Sequence, residues 1–143
     1  MVDFKKLLII EKMKHIYPEP ITLSSGLKSR IKYEIERLSD DDLDYLASLV
    51  PIPNVNADIV ISKGGGMHWA EAISRKFNIP FNCGGIYKNL KVIVADDVIT
   101  TGTTVRELCK NNNVVLVIVI VDRCNEELEF PLFSLVTRSM SRE

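Results

Sequence analysis

The chain has 143 residues, of which 46% are hydrophobic and 26% charged, and its formal net charge at pH 7 is -1. This size and balance predict one soluble globular domain, and the charge argues against nucleic acid or an anionic membrane as a partner. The three cysteines, Cys83, Cys109 and Cys124, lack the spacing of a disulfide framework or a zinc site. We therefore expect a reduced, cytoplasmic protein.

The first part of the chain predicts two helices with a strand between them. An apolar stripe indicates a helix from about residue 3 to 16, which a proline-containing stretch ends. The alternating pattern of "IKYEIE" predicts a half-buried strand at about 31–36. Ser39, followed three residues later by Asp42, is a capping pair that starts a second helix.

From about residue 56 the pattern changes to alternating strands and helices. The predicted elements are the strands 58–62, 91–95 and 114–121 and the helices 67–77 and 103–110. The strands are almost continuously apolar, which is typical of parallel strands that are covered on both faces. The alternation predicts a single-domain α/β fold with a parallel sheet, in which ligands bind beyond the carboxyl ends of the strands.

The stretch "VIVADDVITTGTT" carries the strongest chemical signal. A buried strand runs into the adjacent carboxylates of Asp96 and Asp97, called the acid pair below. A turn rich in hydroxyl groups follows and is called the Thr loop; it comprises Thr100, Thr101, Gly102, Thr103 and Thr104. Backbone N–H groups and hydroxyls at the start of a helix favour a phosphate, whereas the carboxylates suit ribose hydroxyls or a nearby magnesium ion. The alternative is a polar strand end followed by an ordinary helix cap.

A second loop at the same sheet edge is rich in glycine. It is called the Gly loop and consists of Lys63, Gly64, Gly65 and Gly66. Its exposed amides and its lysine suit a second anion, although three glycines also make a plain flexible turn. A Walker loop is excluded because the Thr loop lacks a lysine, and a dinucleotide fingerprint is excluded because Trp69 takes the place of its last glycine.

"VIVADDVITTGTT" closely resembles the phosphoribosyl pyrophosphate (PRPP) motif of the type I phosphoribosyltransferases. The resemblance implies that the acid pair holds the ribose hydroxyls and, through the substrate, Mg2+. It implies that the Thr loop binds the 5′-phosphate and that the Gly loop receives pyrophosphate, often through a non-proline cis peptide. The implied architecture is a small N-terminal hood of about 1–55 on a core of about 56–143, in a homodimer.

Two further stretches resemble the orotate phosphoribosyltransferases within that family. "ITLSSGLKSRIKYEI" is similar to their N-terminal signature, although Arg30 stands where the family usually has proline. "VDRCNEE" looks like their Asp-Arg-x-Glu segment. The base-binding residues that this resemblance implies are Ser24, Ser25, Gly26 and Arg123. A guanidinium suits the carboxylate of orotate, whereas a surface salt bridge is the alternative role for Arg123.

One segment departs from the family pattern. Family members carry a long basic loop with a histidine before the PRPP strand, but "FNIPFNCGGIYKNLKVIVADD" contains only Lys88 and Lys91 as basic residues and no histidine. We therefore expect a catalytic loop reduced to a turn at Gly84–Gly85, with Lys88 as the remaining catalytic candidate beside the acid pair. His68 is a weaker substitute, because it is better explained by packing or helix capping.

The resemblance implies a transferase that converts PRPP and orotate into orotidine monophosphate and pyrophosphate, a step of pyrimidine nucleotide biosynthesis. Two alternatives stay open. One is a regulatory protein that binds PRPP or a nucleotide with little or no turnover. The other is a phosphoribosyltransferase for a purine base. All three alternatives predict small-molecule ligands.

Overall fold

The computed structural model describes residues 2–23, 25–51, 56–124 and 127–137. The helices are α1 (Phe4–Met13), α2 (Asp40–Ser48), α3 (Met67–Phe77) and α4 (Thr103–Asn111). The strands are β1 (Lys14–Thr22), β2 (Lys28–Tyr33), β3 (Ile59–Ser62), β4 (Phe81–Cys83), β5 (Lys91–Ile99), β6 (Asn113–Asp122) and β7 (Leu132–Val136). Two short 3-10 turns lie at Ile35–Arg37 and Gly64–Gly66.

Five of the strands form one parallel sheet in the order β4-β3-β5-β6-β7. Successive residues of β5 alternate between the two faces, as the pleat requires. Ile93 packs with α1, α2 and α3 on one face, and Val94 packs with α4 on the other. The predicted α/β fold with a parallel sheet is confirmed.

The N-terminal segment differs from its prediction. The helix expected to reach residue 16 ends at Met13, and β1 begins at the next residue. Pro18 and Pro20 belong to the stretch that was expected to end the first helix. They lie inside β1, where its pairing with β2 is irregular between Ile16 and Ile21. Proline lacks an N–H donor and is tolerated in a strand where the hydrogen-bond ladder is interrupted.

The capping pair predicted for α2 is confirmed. The hydroxyl of Ser39 accepts a bond from the N–H of Asp42, and the Asp42 carboxylate accepts one from the N–H of Ser39, both at 3.1 Å. The same carboxylate lies 2.7 Å from Nζ of Lys12 and so connects α2 to α1. Leu43 and Leu46 are buried against the core, as their spacing predicted.

The strand β5 is longer than predicted. It was expected to end before the acid pair, but parallel pairing with β6 continues through Asp96 to Ile99. The edge strands β4 and β7 were not predicted, because they are short and only partly buried. Among the described residues, no helix has the length and apolar character needed to cross a membrane.

Helix α3 is held in place by a fully buried tryptophan. Trp69 is 0% exposed, and its Nε1–H donates to the carbonyl of Ile118 in β6 at 3.2 Å. A buried indole N–H needs such an acceptor. This anchor lies three residues after Gly66, so it also fixes where the Gly loop enters the helix.

Candidate active site

The two loops singled out in the sequence lie at the same edge of the sheet. The Gly loop follows the carboxyl end of β3, and the Thr loop follows the carboxyl end of β5. The neighbouring strand β6 ends beside them, because the N–H of Arg123 donates to the carbonyl of Ile99 at 2.8 Å. Carboxyl ends of parallel strands are where ligands bind in such sheets.

The acid pair is oriented by the backbone that follows it. The N–H of Asp97 donates to Oδ1 of Asp96 at 2.9 Å, and the N–H of Val98 donates to Oδ1 of Asp97 at 2.8 Å. Each of these bonds engages only one oxygen of its carboxylate. One oxygen of each carboxylate is therefore positioned by a backbone N–H group.

The environment of Asp96 disfavours its ionised form. Burial, and then the interaction with the adjacent Asp97 carboxylate, raises the pKa of Asp96 to about 8. Protonation of Asp96 is therefore favoured when no cation is near. Such a pair suits sugar hydroxyls, to which it offers both donors and acceptors, better than it suits a phosphate.

The Gly loop lies directly against the acid pair. A Cβ atom at Gly66 would stand 2.6 Å from Oδ1 of Asp96 and 2.9 Å from its Cα, so no larger residue fits without a shift. A Cβ atom at Gly65 would stand 3.7 Å from Oδ2 of Asp97. The structure thus brings these two predicted sets of residues together.

The resemblance implied a cis peptide in the Gly loop. This prediction is wrong, because the described residues contain no cis peptide bond. Instead, the chain turns at Gly64, where φ is +74°. Glycine adopts this left-handed conformation at little cost, and so the loop reverses direction with trans peptides.

The side chain of Lys63 extends toward α4. Its Nζ lies 3.4 Å from Oε1 of Glu107, and both side chains are about half exposed. The pair borders a cavity of about 340 Å3 that the Gly84–Gly85 turn also lines. The structure therefore brings Lys63 together with the shortened turn.

The Thr loop lines a cavity of about 280 Å3. Its other described lining residues are Ser25, Asp96, Val98, Ile99 and Val105. Gly102 precedes α4 with φ +80°, and the hydroxyls of Thr101 and Thr103 lie 3.0 Å apart. None of these described lining residues carries a positive charge. An anion in this cavity would be held by hydroxyls and by backbone N–H groups at the start of α4.

Neither a protein-family model nor a curated protein sequence matches the chain. Solved structures do. The orotate phosphoribosyltransferase from Aeropyrum pernix is 21% identical with a TM-score of 0.72, over 94% of this chain and 95% of that chain. The Mycobacterium tuberculosis orotate phosphoribosyltransferase in complex with PRPP is 19% identical with a TM-score of 0.69, over 96% and 98%. The adenine phosphoribosyltransferase from Leishmania donovani is 13% identical with a TM-score of 0.67, over 99% and 83%.

The chain has the type I phosphoribosyltransferase fold. Similarity at these identities concerns the fold, and the orotate and adenine enzymes share it.

The described segment between β4 and β5 is short and covers residues 84–90. The expected reduction of the loop is confirmed. The Tyr87 hydroxyl donates to the carbonyl of Cys83 at 2.7 Å, and Asn112 donates to the carbonyl of Gly85 at 2.8 Å, so this turn is tied down at two points.

The residues predicted to bind the base do not come together in one pocket. The Arg123 guanidinium donates to the carbonyl of Ile31 at 2.7 Å and to the Ser29 hydroxyl at 2.9 Å. It thereby joins the end of β6 to the β1–β2 hairpin of the hood. Ser25 lines the cavity of the Thr loop, and Ser24 lies outside the described residues. Gly26, with φ +89°, forms the turn of the hairpin.

Two other predicted residues are exposed. Lys88 lies in the turn before β5 and does not belong to the described lining of either cavity. His68 was expected to pack or to cap the following helix. It lies in the first turn of α3 and is exposed, so the expected packing is wrong, and no side-chain hydrogen bond caps this helix at its N-cap. The catalytic role of Lys88 stays a prediction.

Two residues close to the site were not predicted from the sequence. Arg106 donates to the carbonyl of Thr101 at 2.8 Å and to the Glu129 carboxylate at 3.0 Å, and so braces the Thr loop. Ser62 is 1% exposed, and its hydroxyl has no hydrogen-bond partner among the described residues. A polar residue that ends an apolar strand was a signal for Ser62. The bracing by Arg106 depends on a loop distant in sequence and had no such signal.

The acid pair fits a magnesium ion only in part. Among the described residues, no group of three metal-binding side chains comes together. Mg2+ is commonly bound through one or two carboxylates, with water and substrate phosphates as its other ligands. Asp96 and Asp97 therefore suit an ion that arrives with a phosphorylated ligand, rather than a resident metal.

Proposed function

We propose that the protein is a phosphoribosyltransferase that transfers the phosphoribosyl group of PRPP to orotate, giving orotidine monophosphate and pyrophosphate. One observation carries the proposal: the acid pair lies at the same sheet edge as the Thr loop and the Gly loop. It contacts the Gly loop at Gly66 and borders the cavity of the Thr loop through Asp96. A sugar that bears a phosphate at one end and a pyrophosphate at the other matches this arrangement.

The Thr loop would receive the 5′-phosphate. Its backbone N–H groups lie at the N-terminus of α4, where the helix dipole favours an anion. The Arg106 guanidinium donates to the carbonyl of Thr101 at 2.8 Å, so this acceptor is already paired with a cation. The loop thereby offers donors to the ligand while one of its acceptors is neutralised.

The Gly loop and Lys63 would receive the pyrophosphate. Lys63 now pairs with Glu107 at the surface, and an exposed pair of this kind contributes only about 0–1 kcal/mol. A pyrophosphate carries more charge than one carboxylate, so the lysine can exchange Glu107 for it at little cost. The backbone of Gly64–Gly66 allows a close approach because no side chain stands in the way.

The reaction breaks the bond between the ribose C1 and the pyrophosphate oxygen, with the electron pair leaving on pyrophosphate. The base nitrogen bonds to C1, and the proton of that nitrogen goes to solvent. Asp96 and Asp97 would hold the ribose hydroxyls while positive charge develops on the ring, so the enzyme acts by positioning and electrostatic stabilisation. A magnesium ion that arrives with PRPP would neutralise charge on the leaving group.

Orotate is the base that we propose, on account of Arg123. This arginine lies at the carboxyl end of β6, next to β5, and its guanidinium contacts β2 of the hood. A base between the hood and the sheet would meet it, and among the candidate bases only orotate carries a carboxylate to pair with it. The homodimer and the cytoplasmic location stay predictions that accompany this proposal.

Binding and turnover test the proposal separately. We expect PRPP with magnesium to bind in isothermal titration, and orotidine monophosphate to form when orotate is added. The double variant Asp96→Asn with Asp97→Asn should lose at least tenfold in PRPP affinity while its circular dichroism stays that of the wild type. An unchanged affinity in the folded double variant contradicts the ribose assignment.

The short, tied turn between β4 and β5 favours a second candidate function. Closing loops exclude water and bring cations to the leaving group, and residues 84–90 are few and fixed at Cys83 and Gly85. A regulatory protein that binds PRPP needs no such loop. Tight PRPP binding without product from orotate or adenine favours this candidate, and product from adenine alone favours a purine enzyme.

A further inference from the structure

The cavity of the Thr loop is built from two separate parts of the chain. Nearly all of its described lining comes from β5, the Thr loop and the start of α4. The exception is Ser25, which belongs to the turn of the β1–β2 hairpin in the hood. The hood therefore reaches the phosphate end of the site, more than seventy residues away along the chain.

Two backbone hydrogen bonds join described residues on either side of Ser25. The N–H of Leu23 donates to the carbonyl of Leu27 at 2.8 Å, and the N–H of Gly26 donates to the carbonyl of Leu23 at 2.9 Å. Gly26 closes the turn with φ +89°, a conformation that favours glycine. These bonds hold Gly26 and Leu27, the two residues that follow Ser25, close to Leu23.

The hydroxyl of Ser25 is suited to donate. It accepts a long bond of 3.4 Å from the N–H of Leu27, and no described residue accepts its hydroxyl hydrogen. A hydroxyl carries one donor and two acceptor positions, so this contact leaves the donor to be used by something in the cavity. The cavity lining includes a carboxylate and no described cation, which makes each neutral donor count toward an anion.

The core fixes where the hairpin stands. Arg123, which follows β6, donates to the Ile31 carbonyl and the Ser29 hydroxyl of β2, and its guanidinium lies over the Tyr33 ring at 5.5 Å. Ser29 itself is only 5% exposed. The hairpin is thus clamped to the strand adjacent to β5, which places its turn over the Thr loop.

We propose that Ser25 is a phosphate ligand supplied by the hood, and that its hydroxyl donates to the 5′-phosphate of PRPP while the Thr loop binds the same group from the core. This inference rests on the proposed function and deepens it. It assigns Ser25 to the phosphate end of the site rather than to the base. The bound phosphate would then join the hood to the core.

Ribose 5-phosphate tests the phosphate end of the site without the base site, because it carries the phosphate and the ribose but neither base nor pyrophosphate. We expect Ser25→Ala to raise the Kd for ribose 5-phosphate about tenfold in isothermal titration. Ser25→Thr keeps the hydroxyl and should stay within about threefold of the wild type, whereas Ser25→Asp should lose more than Ser25→Ala through repulsion. The matched control is Ser48→Ala, since Ser48 is exposed on α2 and its hydroxyl bonds the Tyr45 carbonyl.

Three results would overturn the proposal. One is a wild type that does not bind ribose 5-phosphate, and another is a folded Ser25→Ala variant that binds it as the wild type does. The third is a Ser25→Ala variant in which only the KM for orotate rises, a result that would assign Ser25 to the base site. Conversely, Ser25-dependent binding of ribose 5-phosphate by a protein that forms no product supports this inference and counts against the proposed enzyme.

Discussion

Replacement of Asp96 by asparagine should stabilise the protein at alkaline pH. Burial and the neighbouring Asp97 raise the pKa of Asp96 from its ordinary value of 3.8 to about 8. Asparagine has nearly the same shape and keeps the oxygen that accepts the N–H of Asp97 at 2.9 Å in the wild type. The substitution therefore removes the ionisation and leaves the packing against Gly66 in place.

The direction follows from the protons that each state binds. Between about pH 4 and pH 8 the unfolded chain releases the proton of Asp96 and the folded chain keeps it. The free energy of unfolding therefore falls as pH rises through this window, by up to about 1.4 kcal/mol per pH unit, and levels off above it. The full shift would amount to about 6 kcal/mol for an isolated carboxyl. We expect an effect of that order at pH 8 and assign it to the pair as a whole, because the two coupled carboxylates titrate together.

Urea unfolding followed by circular dichroism between pH 5 and pH 9 measures this effect. Asp96→Asn should unfold at higher urea than the wild type at pH 8, and the two should converge toward pH 5. The matched control is Asp44→Asn, because Asp44 is a half-exposed partner of Arg75 and should shift stability by less than about 1 kcal/mol at any of these pH values. A wild type whose stability rises between pH 5 and pH 8 would refute the reasoning, as would an Asp96→Asn variant that gains nothing at pH 8.

Three further predictions concern the same site. Gly66→Ala should weaken PRPP binding at least tenfold and destabilise the fold by about 1–3 kcal/mol, because its Cβ would stand 2.6 Å from Oδ1 of Asp96. In Gly65→Ala the Cβ would stand 3.7 Å from Oδ2 of Asp97, an ordinary contact, so this variant should behave as the wild type in titration and unfolding assays. Equal behaviour of the two alanine variants contradicts the close contact. Lys88→Ala should lower kcat more than it changes the Kd for PRPP, and a neutral effect in steady-state kinetics removes Lys88 from the catalytic set. Arg123→Ala should raise the KM for orotate more than that for PRPP, and it should lower stability by about 1.5–3 kcal/mol through the lost bonds to the hood. Equal changes in both KM values speak against a base contact.

Local signals in the sequence were enough for much of the core. The helix predicted at 67–77 coincides with α3, and the capping pair at Ser39 and Asp42 forms both of its bonds. These features depend on residues a few positions apart, so their physics is contained in a short window. The runs of β-branched residues likewise indicated buried parallel strands, because only a strand covered on both faces can be apolar throughout.

Elements that depend on distant partners were not predictable in this way. The strand β5 extends through the acid pair because β6 continues to pair with it, and β7 exists because β6 offers it an edge. The prolines of β1 lie in a strand because the hairpin is irregular there. Local propensity favours a break at such residues, and the partner strand decides whether one occurs.

The chemistry of the site divides along the same line. The order of residues along the chain already placed an acid pair next to a hydroxyl-rich loop and a glycine loop at a neighbouring strand end, because that adjacency is built into a parallel sheet. Only the folded chain decided that Gly66 touches Asp96, that Arg123 clamps the hood and that Ser25 faces the Thr loop. Each of these contacts joins residues about thirty to ninety positions apart, and their spacing along the chain carries no information about which side chains meet.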